Sequence, residues 1–239
     1  MQIIPSIDLK NGRCVRLYQG DFDRQTVFSE NPVAVALGWQ EQGGNLLHLV
    51  DLDGAAGGVP ANLSIITSIV HALDIPVQVG GGIRERTTAD SLLLAGVARV
   101  VIGTAAVENP ELLKGLCQDY GGERVVVAVD ARAGMVTIRG WTAGSQVSAL
   151  ELARQVRDLG VPRLLYTDVS RDGTLTSPNF AANAELVRET GMKVQASGGV
   201  STLDDIRQLT ETGAEGVIIG TALYRGAISL EDAIKAAKG

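Results

Sequence analysis

Short, strongly apolar runs recur along the chain, and between them lie longer stretches in which apolar residues return at helical spacing. The runs rich in Val, Ile and Leu predict strands near 2–8, 46–51, 75–80, 98–103, 124–130, 163–168, 192–197 and 214–220. They look apolar throughout rather than alternating, the pattern of a parallel sheet covered on both faces. The intervening segments carry helix punctuation. "NPVAVALGWQEQGG" offers Asn31 as a cap, Pro32 at the first helical position and glycines at the end. "NPELLKGLCQDYGG" repeats the Asn-Pro start and the Gly-Gly stop. "TTADSLLLAG" and "SALELARQVRDLG" read as further helices, "STLDDIRQLTETG" has capping-box spacing from Ser201 to Asp204, and a last helix falls near 229–238. Strand and helix alternating eight times predict an α/β fold, a closed (β/α)8 TIM barrel spanning 1–239 as one domain. The runner-up is an open doubly wound sheet, but "GGGIRE" from Gly80 lacks the third glycine of the dinucleotide fingerprint.

The pattern also repeats at long range. Gly81 and Gly82 match Gly198 and Gly199 at an offset of 117, "VIGTA" at 101–105 matches "IIGTA" at 218–222, and Asp51 matches Asp168 at the same offset. Asp8 matches Asp130 at 122, so one five-residue slip separates the first match from the rest. Four matches in chain order point to half-barrels at about 1–120 and 121–239.

Composition narrows the functional classes. The 239 residues are 45% hydrophobic and 20% charged, an ordinary globular balance. A formal net charge of −6 disfavours nucleic acid as a partner, so phosphate binding must be local. No apolar run approaches the roughly 18 residues of a membrane helix, and the start "MQIIPSIDLK" does not read as a signal peptide. Two distant cysteines, Cys14 and Cys117, fit free thiols in a reducing compartment. The expectation is a cytoplasmic protein without membrane contact.

In barrel enzymes chemistry sits at the C-terminal ends of the strands. Asp8 and Asp130 end the first and fifth strands, diametrically opposite, and Asp172 lies beside Gly173 in the loop after the sixth strand, "TDVSRDGT". Carboxylates without a histidine base or metal cluster suggest proton transfer, one ionised as base and one protonated as acid. His48 reads as structural and His71 as solvated, and neither has partners at metal spacing, so no metal and no cofactor are implied. The glycine turns and "GTA" sequences predict two equivalent phosphate cradles, one around Gly81, Gly82, Gly103 and Thr104 and the other around Ser197, Gly198, Gly199, Gly220 and Thr221, with Gly173 nearby. A ligand with two phosphates would explain why the phrase occurs twice.

"IPSIDLKNG", "VRLYQGD", "LHLVDLDGA", "VQVGGGIR", "VVIGTAAV", "LLYTDVSRDGTLTSPN" and "VQASGGVS" together resemble the histidine-biosynthesis isomerase family (HisA) over the whole chain. The resemblance implies a (β/α)8 barrel that acts on a bisphosphorylated small-molecule substrate and needs no cofactor. The reaction it implies is the Amadori rearrangement of the phosphoribosylated formimino-aminoimidazole carboxamide ribotide, ProFAR, to its ribulosyl isomer. It implies Asp8 as general base and Asp172 as general acid, with Asp130 and Thr167 as supporting polar residues; spacing leaves open whether Asp130 or Asp172 gives the proton. A monomer is expected. Three alternatives stay open. The cyclase subunit of the next step shares the aspartates but usually carries Cys where this chain has Ser6. A bifunctional isomerase that also takes phosphoribosylanthranilate could use an arginine such as that of "RGW", Arg139 to Trp141. A non-catalytic phosphosugar-binding module would need the glycines but not the opposed carboxylates.

Overall fold

The apolar runs close on one another. The computed structural model describes residues 1–238, and its strands are β1 (Gln2–Lys10), β2 (Arg13–Tyr18), β3 (Asp21–Ser29), β4 (Leu47–Asp51), β5 (Val77–Gly80), β6 (Arg99–Ile102), β7 (Val125–Arg132), β8 (Met135–Ile138), β9 (Ala143–Ser148), β10 (Arg163–Asp168), β11 (Lys193–Ser197) and β12 (Gly216–Ile219). The parallel neighbours run β1–β4–β5–β6–β7–β10–β11–β12 and return to β1, a closed eight-stranded barrel. The helices are α1 (Pro32–Glu41), α2 (Leu52–Gly57), α3 (Leu63–Ala72), α4 (Arg86–Leu94), α5 (Thr104–Glu108), α6 (Pro110–Tyr120), α7 (Ala149–Asp158), α8 (Phe180–Thr190), α9 (Leu203–Glu211), α10 (Thr221–Tyr224) and α11 (Leu230–Ala236). This is the TIM barrel the alternation predicts.

Helix starts follow the local chemistry. Asn31 caps α1 by accepting from the Ala34 N–H at 3.1 Å, with Pro32 behind it. The capping box of α9 lies one residue later than the spacing suggests. Thr202 is the cap and Asp205 closes the box, because the Asp205 carboxylate also accepts from the Ser201 N–H at 2.9 Å and so prefers the inner position.

Two hairpins are additions to the expected pattern. β2 and β3 extend from β1, and β8 and β9 extend from β7, all antiparallel. β3 is almost wholly exposed and polar, so it carries no apolar signal. The turns that begin the hairpins are nevertheless in the sequence. Asn11-Gly12 and Ala133-Gly134 are two-residue loops with φ of 49°, 75° and 50°, 79°, the left-handed pair that a tight hairpin requires. The five-residue slip falls in these hairpins: Arg13 to the α1 cap Asn31 spans 18 positions, and Met135 to the α7 cap Ser148 spans 13.

The expectation of strands apolar on both faces needs one correction. Inside the barrel, Ile4, Leu46, Val101, Val126, Leu165 and Ile218 pack as an apolar plug. Above and among them sits a buried polar layer of Ser6, His48, Gln78 and Gln195. It is tolerated because it satisfies itself: Gln78 donates to Gln195 at 2.9 Å and Gln195 donates back at 3.2 Å. These two glutamines are related by the same offset of 117 and meet across the barrel. The larger apolar clusters lie outside the strands, under the helices.

Candidate active site

The C-terminal ends of the barrel strands surround a cavity of about 240 Å³. Asp8, Asp130, Thr167, Asp172, Gly173 and Ser197 line it, as do both glycine cradles. Every residue singled out from the sequence as a site candidate therefore borders one space. β5 and β6 lie opposite β11 and β12 in the strand order, so the two cradles face each other across it.

The cradles share their backbone shape. Gly81 and Gly82 have φ of 102° and 73°, and Gly198 and Gly199 both have 89°. A side chain at Gly82 would run into the Gly54 carbonyl, and one at Gly199 into the Ser177 carbonyl, so close approach of two loops excludes anything larger. Gly103 and Gly220 precede α5 and α10 with φ, ψ of −99°, −96° and −113°, −89°. At these helix starts the Ala106 N–H donates to the Gly103 carbonyl at 2.8 Å and the Leu223 N–H to the Gly220 carbonyl at 3.0 Å, and the N–H groups before them have no partner within the helix. The halves also frame their loops alike. Asp51 accepts from Asn62 at 2.7 Å, and Asp168 accepts from Asn179 at 2.8 Å.

The carboxylates are distinguished by their surroundings. Asp8 pairs with Arg16 of β2 at 2.8 Å, and both are largely buried. Burial raises the Asp8 pKa, while the charge and hydrogen bond of Arg16 pull it back. Arg16 also donates to the Ser6 carbonyl and hydroxyl and stacks over the Tyr224 ring, 5.1 Å from its centre. Asp172 is pushed up to about 7, first by burial and then by the negative charges of Asp8 and Asp130, with Arg16 opposing. Burial raises Asp130 as well, against the Trp141 indole and Thr167 hydroxyl beside it. One carboxylate thus has a fixed cation, and another is poised between its two protonation states near neutrality.

His48 is buried and hydrogen-bonds through Nδ1 to Gln78 at 3.1 Å. Burial and the charge of Arg16 push it down to about 3, so it is neutral. His71 is exposed on α3. Cys14 and Cys117 are free thiols. Among the described residues no three His, Cys, Asp or Glu side chains are grouped as metal ligands would be, and no helix is long and apolar enough to cross a membrane.

Sequence reasoning missed Arg16, Gln19 and the part Trp141 plays. Trp141 follows Arg139 and Gly140 in a run of three left-handed residues, φ 55°, 64° and 68°, which turns its ring under the Gly20 tip of the first hairpin. Arg139 itself pairs with Glu108 at 3.0 Å, and its N–H donates to the Thr104 hydroxyl at 2.8 Å. The Asn11-Gly12 turn was the available signal: it places β2, and therefore Arg16, back against the end of β1.

Known proteins are similar to this chain over its full length. The chain matches the family described as histidine biosynthesis protein over residues 2–229. A protein of Chloroflexus aggregans is 52% identical, covering 100% of this chain and 98% of its own. One of Gloeothece citriformis is 54% identical, covering 99% and 93%. One of Dehalococcoides mccartyi (strain CBDB1) is 52% identical, covering 98% and 96%. All three are named 1-(5-phosphoribosyl)-5-((5-phosphoribosylamino)methylideneamino)imidazole-4-carboxamide isomerase. With its barrel, its paired glycine cradles and this full-length similarity, the chain belongs to the histidine biosynthesis protein family.

Proposed function

We propose that this protein is the aldose–ketose isomerase that converts ProFAR to its ribulosyl isomer, as the names of its relatives state for them. The observation that carries the reading is the placement of Asp8 and Asp172 at one cavity between two equivalent anion cradles. A substrate with a phosphate at each end fits that symmetry, since backbone N–H groups at each cradle can hold one anion while the reacting sugar lies between. A cytoplasmic location goes with the reading.

The chemistry then follows from the two environments. Asp172, protonated, gives its proton to the furanose ring oxygen. The C1–O bond breaks, and the nitrogen lone pair forms the C=N bond of an open-chain iminium. Asp8, ionised beside Arg16, removes the proton from C2, and the C–H electrons neutralise the iminium as an enaminol. Proton return to C1 and loss of the enaminol hydroxyl proton leave the aminoketose. No electrons enter or leave, so the rearrangement needs no redox partner. Arg16 keeps a positive charge beside Asp8 throughout, and Trp141 and Thr167 orient Asp130 at the side of the reacting centre.

The test is steady-state turnover of ProFAR and of phosphoribosylanthranilate, side by side. Phosphoribosylanthranilate has one phosphate and leaves one cradle empty. The proposal expects kcat/KM for ProFAR to exceed the other by at least about 100-fold, the worth of a few kcal/mol of lost phosphate contacts. Equal values would favour the bifunctional reading, in which Arg139 leaves Glu108 to hold the second substrate's carboxylate.

A further inference from the structure

The loop that carries Asp172 is fixed from two sides. At its base, Ser170 donates from its N–H to Asp168 at 3.1 Å, and Arg171 N–H donates to the Asp168 carbonyl at 3.0 Å. From across the barrel mouth comes the tip of the β2–β3 hairpin, more than 150 residues away in sequence. Gln19 Nε2 donates to the Ser170 carbonyl at 2.7 Å, and Gln19 N–H donates to the Asp172 carbonyl at 3.3 Å. Gly173 packs against the Leu17 carbonyl, where an added side chain would approach to 2.9 Å. The tip itself is a tight left-handed turn, Gln19 at φ 50° and Gly20 at 76°, and Gly20 lies on the Trp141 ring. The tip of the second hairpin reaches a different loop, its Arg139 bonding Thr104 and Glu108 of α5.

We propose that Gln19 is a positioning residue for the acid: its side-chain amide and backbone N–H hold the Ser170–Gly173 loop so that the Asp172 carboxyl stays inside the closed mouth. The inference rests on the assignment of Asp172 as acid. The groups that face Asp172 are Asp8 from β1, Arg16 from β2 and Asp130 from β7. Releasing the loop moves Asp172 towards water and away from the two carboxylates, so its pKa falls towards the ordinary carboxylate range. An acid works only while protonated, so the high-pH limb of turnover then moves to lower pH. A residue that merely stabilised the hairpin would not shift that limb.

The experiment measures kcat, KM and the kcat–pH profile on ProFAR for wild type, Gln19→Ala, Gln19→Glu, Asp172→Asn and the double variant Gln19→Ala/Asp172→Asn, with Tm for each. Gln19→Glu keeps the size of the side chain but has no N–H to give. Gln25→Ala, on the exposed strand of the same hairpin, is the structural control. The expected result is a loss in kcat of about 10- to 100-fold for both Gln19 variants, the cost of a misplaced catalytic group. KM should change less than threefold, the high-pH limb of Gln19→Ala should fall by at least half a pH unit, and Gln25→Ala should match wild type. The double variant should be no slower than Asp172→Asn alone, since Gln19 then has no acid left to place. The proposal is overturned if the Gln19 variants keep the wild-type kcat and limb, or if their loss multiplies with that of Asp172→Asn. Near-wild-type turnover in Asp172→Asn would instead remove the acid assignment itself, whatever Gln19 does.

Discussion

Arg16 and Asp8 form a buried ion pair at 2.8 Å between two antiparallel strands at the mouth of the barrel. The pair joins a cation contributed by the hairpin to the carboxylate at the end of β1. It holds back the rise in pKa that burial alone would impose on Asp8. Removing the charge therefore raises the Asp8 pKa, and a base works only when ionised. Arg16→Met should shift the low-pH limb of kcat/KM to higher pH and lower turnover at neutral pH by at least about tenfold. A pH–rate profile of the variant checks this, and a low-pH limb at its wild-type position would contradict it.

Asp8→Asn and Asp130→Asn should separate the reacting carboxylate from the supporting one. Asp8→Asn should cost kcat about 10²–10⁴-fold with little change in KM, because the cradles rather than Asp8 hold the phosphates. Asp130→Asn should cost less, since the Trp141 and Thr167 contacts at that position are kept in part by the amide. Single-turnover measurements on both variants decide the order. If Asp130→Asn were inactive and Asp172→Asn active, the acid would be Asp130.

Asp172 also links stability to pH. Its pKa rises from an ordinary 3.8 to about 7 on folding. The folded state therefore favours the protonated carboxyl, and the stability that brings is present at low pH and lost as pH rises through about 7. Asn at this position does not titrate. Thermal unfolding of Asp172→Asn should exceed that of wild type by a few degrees more at pH 8 than at pH 4. An equal difference at both pH values would show that Asp172 is not buried as described.

The glycine cradles yield a prediction on binding. Gly82 and Gly199 hold positive φ and have no room for a Cβ against the neighbouring loop carbonyls. Gly199→Ala and Gly82→Ala should each displace one cradle, destabilising by about 1–3 kcal/mol and raising KM for the bisphosphate about tenfold or more. Titration with inorganic phosphate, read by shift in Tm, should show weakened binding in both. Unchanged KM in both variants would detach the cradles from substrate binding.

Much of this was legible in the chain because the relevant signals were local and repeated. The eight barrel strands announce themselves as apolar runs, and the Asp8/Asp130 and Gly82/Gly199 correspondences need only counting. The hairpins were less legible, since β3 is exposed and polar and its pairing is set by backbone turns rather than by burial. With them went Arg16 and Gln19, whose meaning depends on what lies across the mouth. The Gln78–Gln195 pair was hidden for a different reason: a polar residue inside an apolar run is legible as tolerated only when its partner, 117 positions away, is seen to satisfy it. The electrostatic division between Asp8 and Asp172 belongs to the assembled site, because burial and neighbouring charges exist only there.

The most direct measurement is the pH dependence of kcat/KM for ProFAR in wild type and in Asp172→Asn. Wild type should give a bell whose high-pH limb falls near pH 7, where Asp172 loses its proton. Asp172→Asn should retain no more than about one hundredth of that activity and show no such limb. A wild-type profile flat from pH 6 to pH 9, or a variant as active as wild type, would contradict the assignment of Asp172 as the acid opposite Asp8.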